Sequence, residues 1–585
     1  MAKRVFAFNL ELYYKGKKEK GYSMIIDLEK TKINTFLEGK AALVASMCKK
    51  LKLTAIMNEN LTSDLGRKPE IAYGTLIEMM IVNMCDDHKS LSQLGNYYNN
   101  YRDLEGIFQR EIDCSKLTDD RFGLALDHLY EAEPKKIFAR IASNVFQMYN
   151  IKITKINFDT TSKVMWGTYE TEHGEEARIE ITYGHSKDKR SDKKQVKMAI
   201  GSANGIVVDI EALSGNASDK TYNFDKLDGI ENIMKNFEIS KNDFHYIADS
   251  AFFTKKNIVK ANENGIKFIT SVPKSMKIAN EMRNFALSEF DNLQEIEIKT
   301  TKKAGIYKLS EKKINYKGIE LKLALCHSGP LVKKKTKTLE RKIKKEEKAI
   351  KKLEKNFIKM DFACEKDALS ELNRLEKKRI KKIKFYKIDL KIAKKEVKKP
   401  GRQPKDPLKS NVNIKYNIEI SYSLNEKRKD EFLKSSCMFV LATSNLDMTG
   451  EEILREYKTQ DSVEKNFQLL KSPQFVNAIY LESPKRIEAF MYLMMLTVMI
   501  KSVIQYIIRQ DLKENDEYII GTRKEKNYKP TFAVIYESFS SISTMLIEFK
   551  NDNKIRQLTK PLTKDVIKML ESLQLEQDIF TKGSK

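Results

Sequence analysis

Asp159 and Asp249 share a setting. INFDTTS places Asp159 directly after a short apolar strand, and FHYIADSAF places Asp249 after another, each followed by small hydroxylated residues. A carboxylate at the C-terminal end of a strand sits on the rim of a sheet, where a ligand can reach it. Such an Asp more often caps a helix or closes a turn. Glu464 has a different setting. In REYKTQDSVEKNFQLLKS, Val463, Phe467 and Leu470 fall at i, i+4 and i+7 and define an amphipathic helix. Glu464 stands one position from that apolar stripe, and Lys471 lies two turns further along the same face. A carboxylate and an ammonium stacked in this way could hold a metal and a phosphate side by side, or form a surface ion face.

Three acids suit one chemistry in particular. Cutting or joining a phosphodiester needs a water or a 3′-hydroxyl in line with the leaving oxygen, and two divalent ions about 4 Å apart stabilise the attacking and departing oxygens. Magnesium prefers oxygen ligands and keeps several waters, so a few carboxylates suffice. The six histidines show no ligand spacing. The six cysteines (Cys48, Cys85, Cys114, Cys326, Cys364, Cys437) are scattered without a CxxC pair, which fits reduced core residues better than disulfides or zinc ligands.

The elements that must position these acids can be read from periodicity. Residues 1–35 alternate apolar and polar around the lysine-rich turn KGKKEKG, a β-hairpin pattern. Residues 40–150 carry helical spacing in AALVASMCKKL, YGTLIEMMIVNMC and DRFGLALDHLYEA. From 151 the runs KITKINFD, ARIEITYGHS, KQVKMAIGS and GIVVDIEALS read as a strand meander. A helix around FDKLDGIENIMKNF, a strand at HYIAD, a helix near TKKNIVKANENG and a strand at IKFITSVP follow. Strands followed by strand–helix alternation predict a mixed α/β sheet with helices on its faces.

Residues 275–445 read as an insertion. Leu339, Ile343, Ile350, Leu353, Phe357 and Met360 form one apolar helical seam, and Leu369, Leu372, Leu375, Ile380 and Ile383 a second, predicting a basic helical hairpin over 333–399. That segment holds 27 Lys+Arg and 11 Asp+Glu, a net of 27 − 11 = +16. It is either a solvated spacer or dimer contact, or an arm that tracks phosphates and releases counterions on DNA.

The chain as a whole carries 107 Lys+Arg against 81 Asp+Glu, a formal net charge of +26 over 585 residues. A surplus of this size points to a polyanionic partner, unless it reflects a lysine-biased proteome. The strongest apolar run, Ala489 to Ile500, is too short to span a bilayer and reads as a buried core helix. MAKRVFAFNLELYYKGKKEK has no secretory h-region, so a cytoplasmic location is expected.

The three acid settings together resemble the DDE transposases of bacterial insertion sequences, in the branch with a tyrosine–arginine–glutamate–lysine signature around the last acid. Tyr457, Glu464 and Lys471 match that signature, while Gln460 stands where arginine is common. GHSKDKRSDKKQVKMAIGSANGIVVDIEALSGNASD is similar to the stretch after the first acid, IYLESPKRIEAFMYLMMLTVMI to the helix after the signature, and residues 40–150 to the helical N-terminal domain of one subgroup.

The resemblance implies a ribonuclease-H-like core with the first acid on its first strand, the second on its fourth and the third on a helix after an inserted subdomain. The spacing from Asp249 to Glu464, 464 − 249 = 215 residues, leaves room for that insertion. The expected organisation is a hairpin (1–39), a helical DNA-binding domain (40–150), a core in two parts (151–274 and 446–515) around an insertion (275–445), and a C-terminal region (516–585). The resemblance further implies that Asp159, Asp249 and Glu464 bind two Mg²⁺ ions, with Mn²⁺ as a substitute. Lys471 would contact a phosphate of the DNA end and Tyr457 its terminal nucleotide. Partners would be the terminal inverted repeats, target DNA and a second protomer, on the nucleoid. Two other readings share these residues: a nuclease of the same fold that never joins strands, and a non-catalytic architectural protein derived from such an element. Trp166, the only tryptophan, is expected to fill the core rather than stack on an unpaired base. His185 and Lys187 border the first acid without an assigned role.

Overall fold

A computed structural model describes residues 5–10, 13–14, 17–18, 22–27, 31–61, 69–167, 169, 177–299, 304–398, 412–472, 479, 481–521, 524–549 and 553–583. The chain forms two compact units, one of residues 1–270 with 456–585 and the other of 271–455.

In the first unit, β1 (Val5–Leu10) pairs antiparallel with β4 (Tyr22–Asp27), with β2 (Tyr13–Tyr14) and β3 (Lys17–Lys18) paired between them. The strand β5 (Thr31–Leu37) follows, then, among the described residues, the α-helices α1 to α7 between Gly39 and Met148. Their apolar spacing is realised as burial: every residue of α3 (Tyr73–Cys85) is buried, and α7 (Pro134–Met148) buries Ile137, Phe138, Ile141, Ala142, Val145 and Phe146 on one face.

The sheet of this unit contains β6 (Lys155–Val164), β7 (Gln195–Ala203), β8 (Ile206–Leu213), β9 (His245–Ala248) and β10 (Lys267–Ser271). Their spatial order is β10-β9-β6-β7-β8. The strands β6 and β9, and β9 and β10, run parallel, whereas β7 is antiparallel to both β6 and β8. This is the ribonuclease-H-like order, with the first strand central and the fourth beside it. Parallel neighbours need a crossover helix, supplied by α8 (Asp219–Asn236) and α9 (Lys255–Glu263).

Two strand expectations differ. The strand carrying Asp159 does not end there; it continues through Thr160–Val164, because these residues pair with Met198, Ala199 and their neighbours on β7. ARIEITYGHS forms no strand of its own beyond an isolated bridge of Thr182 to Gln195, although Ile179 and Ile181 are buried.

The second unit holds α10 (Lys277–Ser288) and an antiparallel sheet of β11 (Gln294–Lys299), β12 (Ala304–Tyr316) and β13 (Ile319–Ser328). After these come α11 (Gly329–Phe357) and α12 (Glu365–Lys378). The helical hairpin predicted over 333–399 stops at Lys378. Residues 386–398 are instead β14 (Tyr386–Lys398), paired antiparallel along its whole length with β15 (Val412–Leu424). The reason is local: Tyr386, Ile388, Leu390 and Ile392 alternate with polar residues, a period of two that suits a strand. A small core of Leu353, Phe357, Leu375 and Ile418, joined by Leu372, Leu390 and Ile420, binds these helices to the ribbon. Then come α13 (Glu426–Ser436), β16 (Met438–Thr443), which pairs with β13, and α14 (Gly450–Tyr457).

Back in the first unit, α15 (Asp461–Lys471) packs on β6 and β7, and α16 (Pro484–Glu514) packs on β8 and α6 (Asp119–Glu131). At 31 residues α16 is long and apolar enough to cross a membrane, but its most apolar window is 94% buried within the fold. The tail adds β17 (Ile519–Ile520), β18 (Lys526–Asn527), α17 (Phe532–Ser538), β19 (Ser543–Phe549), β20 (Lys554–Leu558) and α18 (Lys564–Ser572). The strand β5 belongs here rather than to the N-terminal hairpin: it pairs with β19 along its whole length, Thr31 with Phe549 through Leu37 with Ser543. The cysteines are free; Cys48, Cys85, Cys326 and Cys437 are buried, while Cys364 is exposed rather than in the core.

Candidate active site

The parallel register of β6 and β9 ends at Phe158 opposite Ala248. Asp159 is the next residue of β6 and Asp249 the first beyond β9, so the two acids leave neighbouring parallel backbones, about 4.8 Å apart, at one level. The backbone N–H of Thr160 donates to Asp159 Oδ1 at 2.7 Å, and that of Ala251 to Asp249 Oδ1 at 2.9 Å. Thr270 Oγ1 donates to the Asp249 carbonyl at 2.6 Å, tying the end of β9 to β10.

Glu464 arrives on α15, which buries Val463, Asn466, Phe467 and Leu470. The segment before it is fastened to the strand of the first acid. Thr459 Oγ1 donates to Asn157 Oδ1 at 3.0 Å, and Gln460 Nε2 to the Phe158 carbonyl at 3.3 Å. Gln460, at the position where the signature has arginine, is therefore buried and engaged with backbone one residue ahead of Asp159. Asn466 Nδ2 reaches Ser202 Oγ on β7 at 3.3 Å and pins the middle of the helix.

Asp159 and Glu464 face a common cavity of about 350 Å³, shared with Thr160, Thr161, Lys187, Phe467, Gln468, Lys471 and Ser472. Asp249 does not line it, yet feels Asp159 directly: burial first, and then the charge of Asp159, push the Asp249 carboxyl up. Burial likewise raises Asp159, against the lowering effect of Lys187. Glu464 is raised by partial burial, then by Asp461 and Asp159.

Lys187, left unassigned by sequence, is central. Its Nζ lies 3.1 Å from Asp159 Oδ1 and 3.8 Å from Asp219 Oδ2, and it also donates to the Thr160 carbonyl. The Lys187 backbone N–H donates to Ser162 Oγ at 3.1 Å. The backbone leading to it is closely packed: a Cβ on Gly215 would stand 2.1 Å from the Gln195 carbonyl oxygen and 2.5 Å from that of Thr182. Asp219, at the end of GNASD, accepts from Thr160 Oγ1 at 2.8 Å and from the buried Lys197 Nζ at 3.1 Å. Burial works to raise Asp219, but Lys187, Thr160 and Lys197 outweigh it and hold the acid below its usual value. The run of small residues in GNASD was the available signal for this fourth acid.

Lys471 lines the cavity with Glu464 and donates from Nζ to Asp188 Oδ1 at 2.7 Å. Tyr457 ends α14, half-buried, and is not among the residues that line the cavity. His185 is exposed and contributes its carbonyl to Gln195. Trp166 overturns the expectation of a core residue. It is 59% exposed, with the Arg190 guanidinium 5.2 Å and the Lys193 ammonium 5.1 Å from its ring centroid.

The acids fit a hard divalent cation in kind: the cavity offers oxygen donors and no His or Cys, and burial raises both Asp159 and Asp249, with the charge of Asp159 adding to it at Asp249. Among the described residues no three His, Cys, Asp or Glu side chains are already drawn together as a metal cage. In the present arrangement the Lys187 ammonium is the cation that Asp159 meets.

Residues 35–143 match a domain of unknown function (DUF4277), over the same stretch as the helices α1 to α7. No curated protein matches the chain. Among solved structures it is similar to a piggyBac transposase synaptic complex with hairpin DNA, at 10% identity over 87% of this chain and 83% of that one, TM-score 0.35. It is also similar to a Mos1 transposase paired-end complex with left transposon end (10% identity, 34% of this chain, 59% of that one, TM-score 0.14) and to a pre-cleavage Mos1 transpososome (9%, 40%, 77%, TM-score 0.15). Residues 165–500, more than half of the sequence, match the transposase DDE domain, and the chain belongs to that family.

Proposed function

We propose that this protein cuts DNA at the ends of a mobile element and transfers the freed 3′-hydroxyl into target DNA, with Asp159, Asp249 and Glu464 as its catalytic acids. The observation that carries this reading is the register at the end of β6 and β9, where Asp159 and Asp249 emerge side by side while α15 brings Glu464 to the cavity Asp159 faces. Divalent cations held by these acids, Mg²⁺ with Mn²⁺ as a substitute, would supply the charge that stabilises attacking and departing oxygens.

The remaining groups prepare the site. Lys187 favours the ionised form of Asp159 against its burial. Thr160 and Lys197 hold Asp219 charged beside it. Lys471 presents an ammonium on the cavity wall, where a phosphate of the DNA end can displace Asp188. Tyr457, by its place in the signature, contacts the terminal nucleotide. Positioning and charge neutralisation supply the rate, as in phosphoryl transfer generally. Two element ends must meet, so the working species contains at least two protomers, acting on the bacterial nucleoid.

The test is incubation with the element's own flanking DNA and Mg²⁺, with the breaks mapped. A pre-cut end bearing a 3′-hydroxyl then separates strand joining from hydrolysis alone. Mg²⁺-dependent cleavage that persists in Glu464→Ala would sink the assignment.

A further inference from the structure

The helix α11 has two opposed faces. Leu339, Ile350, Leu353 and Phe357 are buried on one. On the other, Lys334, Lys337, Arg341, Lys344, Lys348, Lys352 and Lys355 follow one another at three- or four-residue steps, and all seven are exposed. At 3.6 residues per turn these side chains fall within about 80° of arc, and the helix that carries them is about 43 Å long. No acidic residue interrupts the stripe. Glu346 is occupied with the backbone N–H groups of Lys384 and Phe385, and Glu347 with Lys351. Among the described residues none of the seven cations takes part in a side-chain ion pair.

Like charges at i, i+3 and i, i+4 cost a helix a few tenths of a kcal/mol per pair. The fold of α11 is secured by its apolar face and needs none of these charges. The neighbouring ribbon is a useful contrast, because on its exposed face Asp389 and Glu419 stand among Lys387 and Lys391. An uninterrupted row of seven exposed cations thus lies along one rigid line.

We propose that this stripe is a docking surface for the phosphodiester backbone of duplex DNA, which presents a negative charge about every 3.4 Å along each strand. The proposal rests on the functional reading above only in taking DNA as the polyanion. Because it concerns affinity rather than chemistry, it can fail without that reading. The contacts are to phosphates, so the surface adds affinity without sequence preference.

The test is binding of the full-length protein to a random-sequence duplex, followed by fluorescence anisotropy between ~50 and ~200 mM KCl. Lys337→Gln/Arg341→Gln/Lys344→Gln/Lys348→Gln should flatten the slope of log affinity against log salt by roughly three to four, since each phosphate contact contributes ~0.9. Lys387→Gln/Lys391→Gln/Lys395→Gln, on the ribbon, should leave the slope within ~1 of the parent. Unchanged thermal melting of both variants excludes unfolding as the cause. A stripe variant with the full parental slope, or a ribbon variant that loses as much, overturns the inference, while cleavage dependent on Asp159 and Glu464 would still stand. Parent protein without salt-dependent binding would bring down both.

Discussion

Asp159 and Asp249 are the first residues beyond the last matched pair of two parallel strands, Phe158 and Ala248. Side chains at one level of adjacent strands lie on the same face of the sheet, so the relationship is fixed by backbone pairing rather than by rotamers. That makes it robust to the substitutions needed to test it.

Asp159→Asn and Glu464→Gln should each lower DNA cleavage by at least about 10²-fold, the scale seen when one preorganised charge-stabilising group is removed. Duplex binding and circular dichroism should stay close to those of the parent. A variant that folds and still cleaves at the parental rate would remove its acid from the site.

Lys187→Met should tighten divalent cation binding by roughly 3- to 10-fold, since a pKa unit's worth of competing charge is about 1.4 kcal/mol. The ammonium 3.1 Å from Asp159 Oδ1 occupies the charge position a cation needs. Titration with Mn²⁺ followed by paramagnetic resonance measures this, and weaker binding would show that Lys187 supports the cation instead of competing with it.

Gln460→Met keeps the bulk but loses the donor to the Phe158 carbonyl. A cost of about 1 kcal/mol in unfolding free energy is expected, with cleavage falling more than DNA binding because α15 loses part of its anchor to β6. Unaltered denaturation and unaltered cleavage would show that the anchor is dispensable.

Glu38 is pushed up to about 8 by burial, between the Asp103 backbone N–H and the Thr544 hydroxyl. Its folded-state pKa is above its unfolded value, so the folded chain holds the proton more tightly. Stability from this group is present in full below the unfolded value of 4.5 and is lost as pH rises through about 8. Melting temperature measured from pH 5 to 9 should therefore fall less steeply in Glu38→Gln than in the parent; parallel profiles would contradict the buried neutral acid.

Trp166→Ala should change unfolding free energy by no more than about 0.5 kcal/mol, as for a surface position, because 59% of the ring's surface is exposed. Chemical denaturation decides it, and a loss of several kcal/mol would return the ring to the core.

Much of the candidate site is legible in the sequence because it rests on local pattern. The apolar strands before Asp159 and Asp249 and the stripe of Val463, Phe467 and Leu470 are contiguous in sequence, and each sets the direction of one acid. What was missed depends on contacts that sequence does not display. Lys187 stands 28 residues from Asp159, and its contact with that carboxylate is made through space with no local signature. The exposure of Trp166 has no local signature, for it stands two residues past the end of β6 at Val164 and Met165 between them is buried. The ribbon over 386–398 was hidden by lysines that mimic a continuing helix, although Ile388, Leu390 and Ile392 alternate. The pairing of β5 with β19 joins residues about five hundred positions apart and has no local signature.

That last pairing constrains the order of assembly. Thr31–Leu37 is made about five hundred residues before the partner strand that runs to Phe549. Arg556, which clamps Asp103 at 2.6 Å, is made later still. The emerging polypeptide must therefore hold the intervening helices without their closing strand until Ser543–Phe549 has left the ribosome. Such long-range closure is slow, and a product terminated before Ser543 would expose an unpaired edge at β5, where aggregation and proteolysis begin.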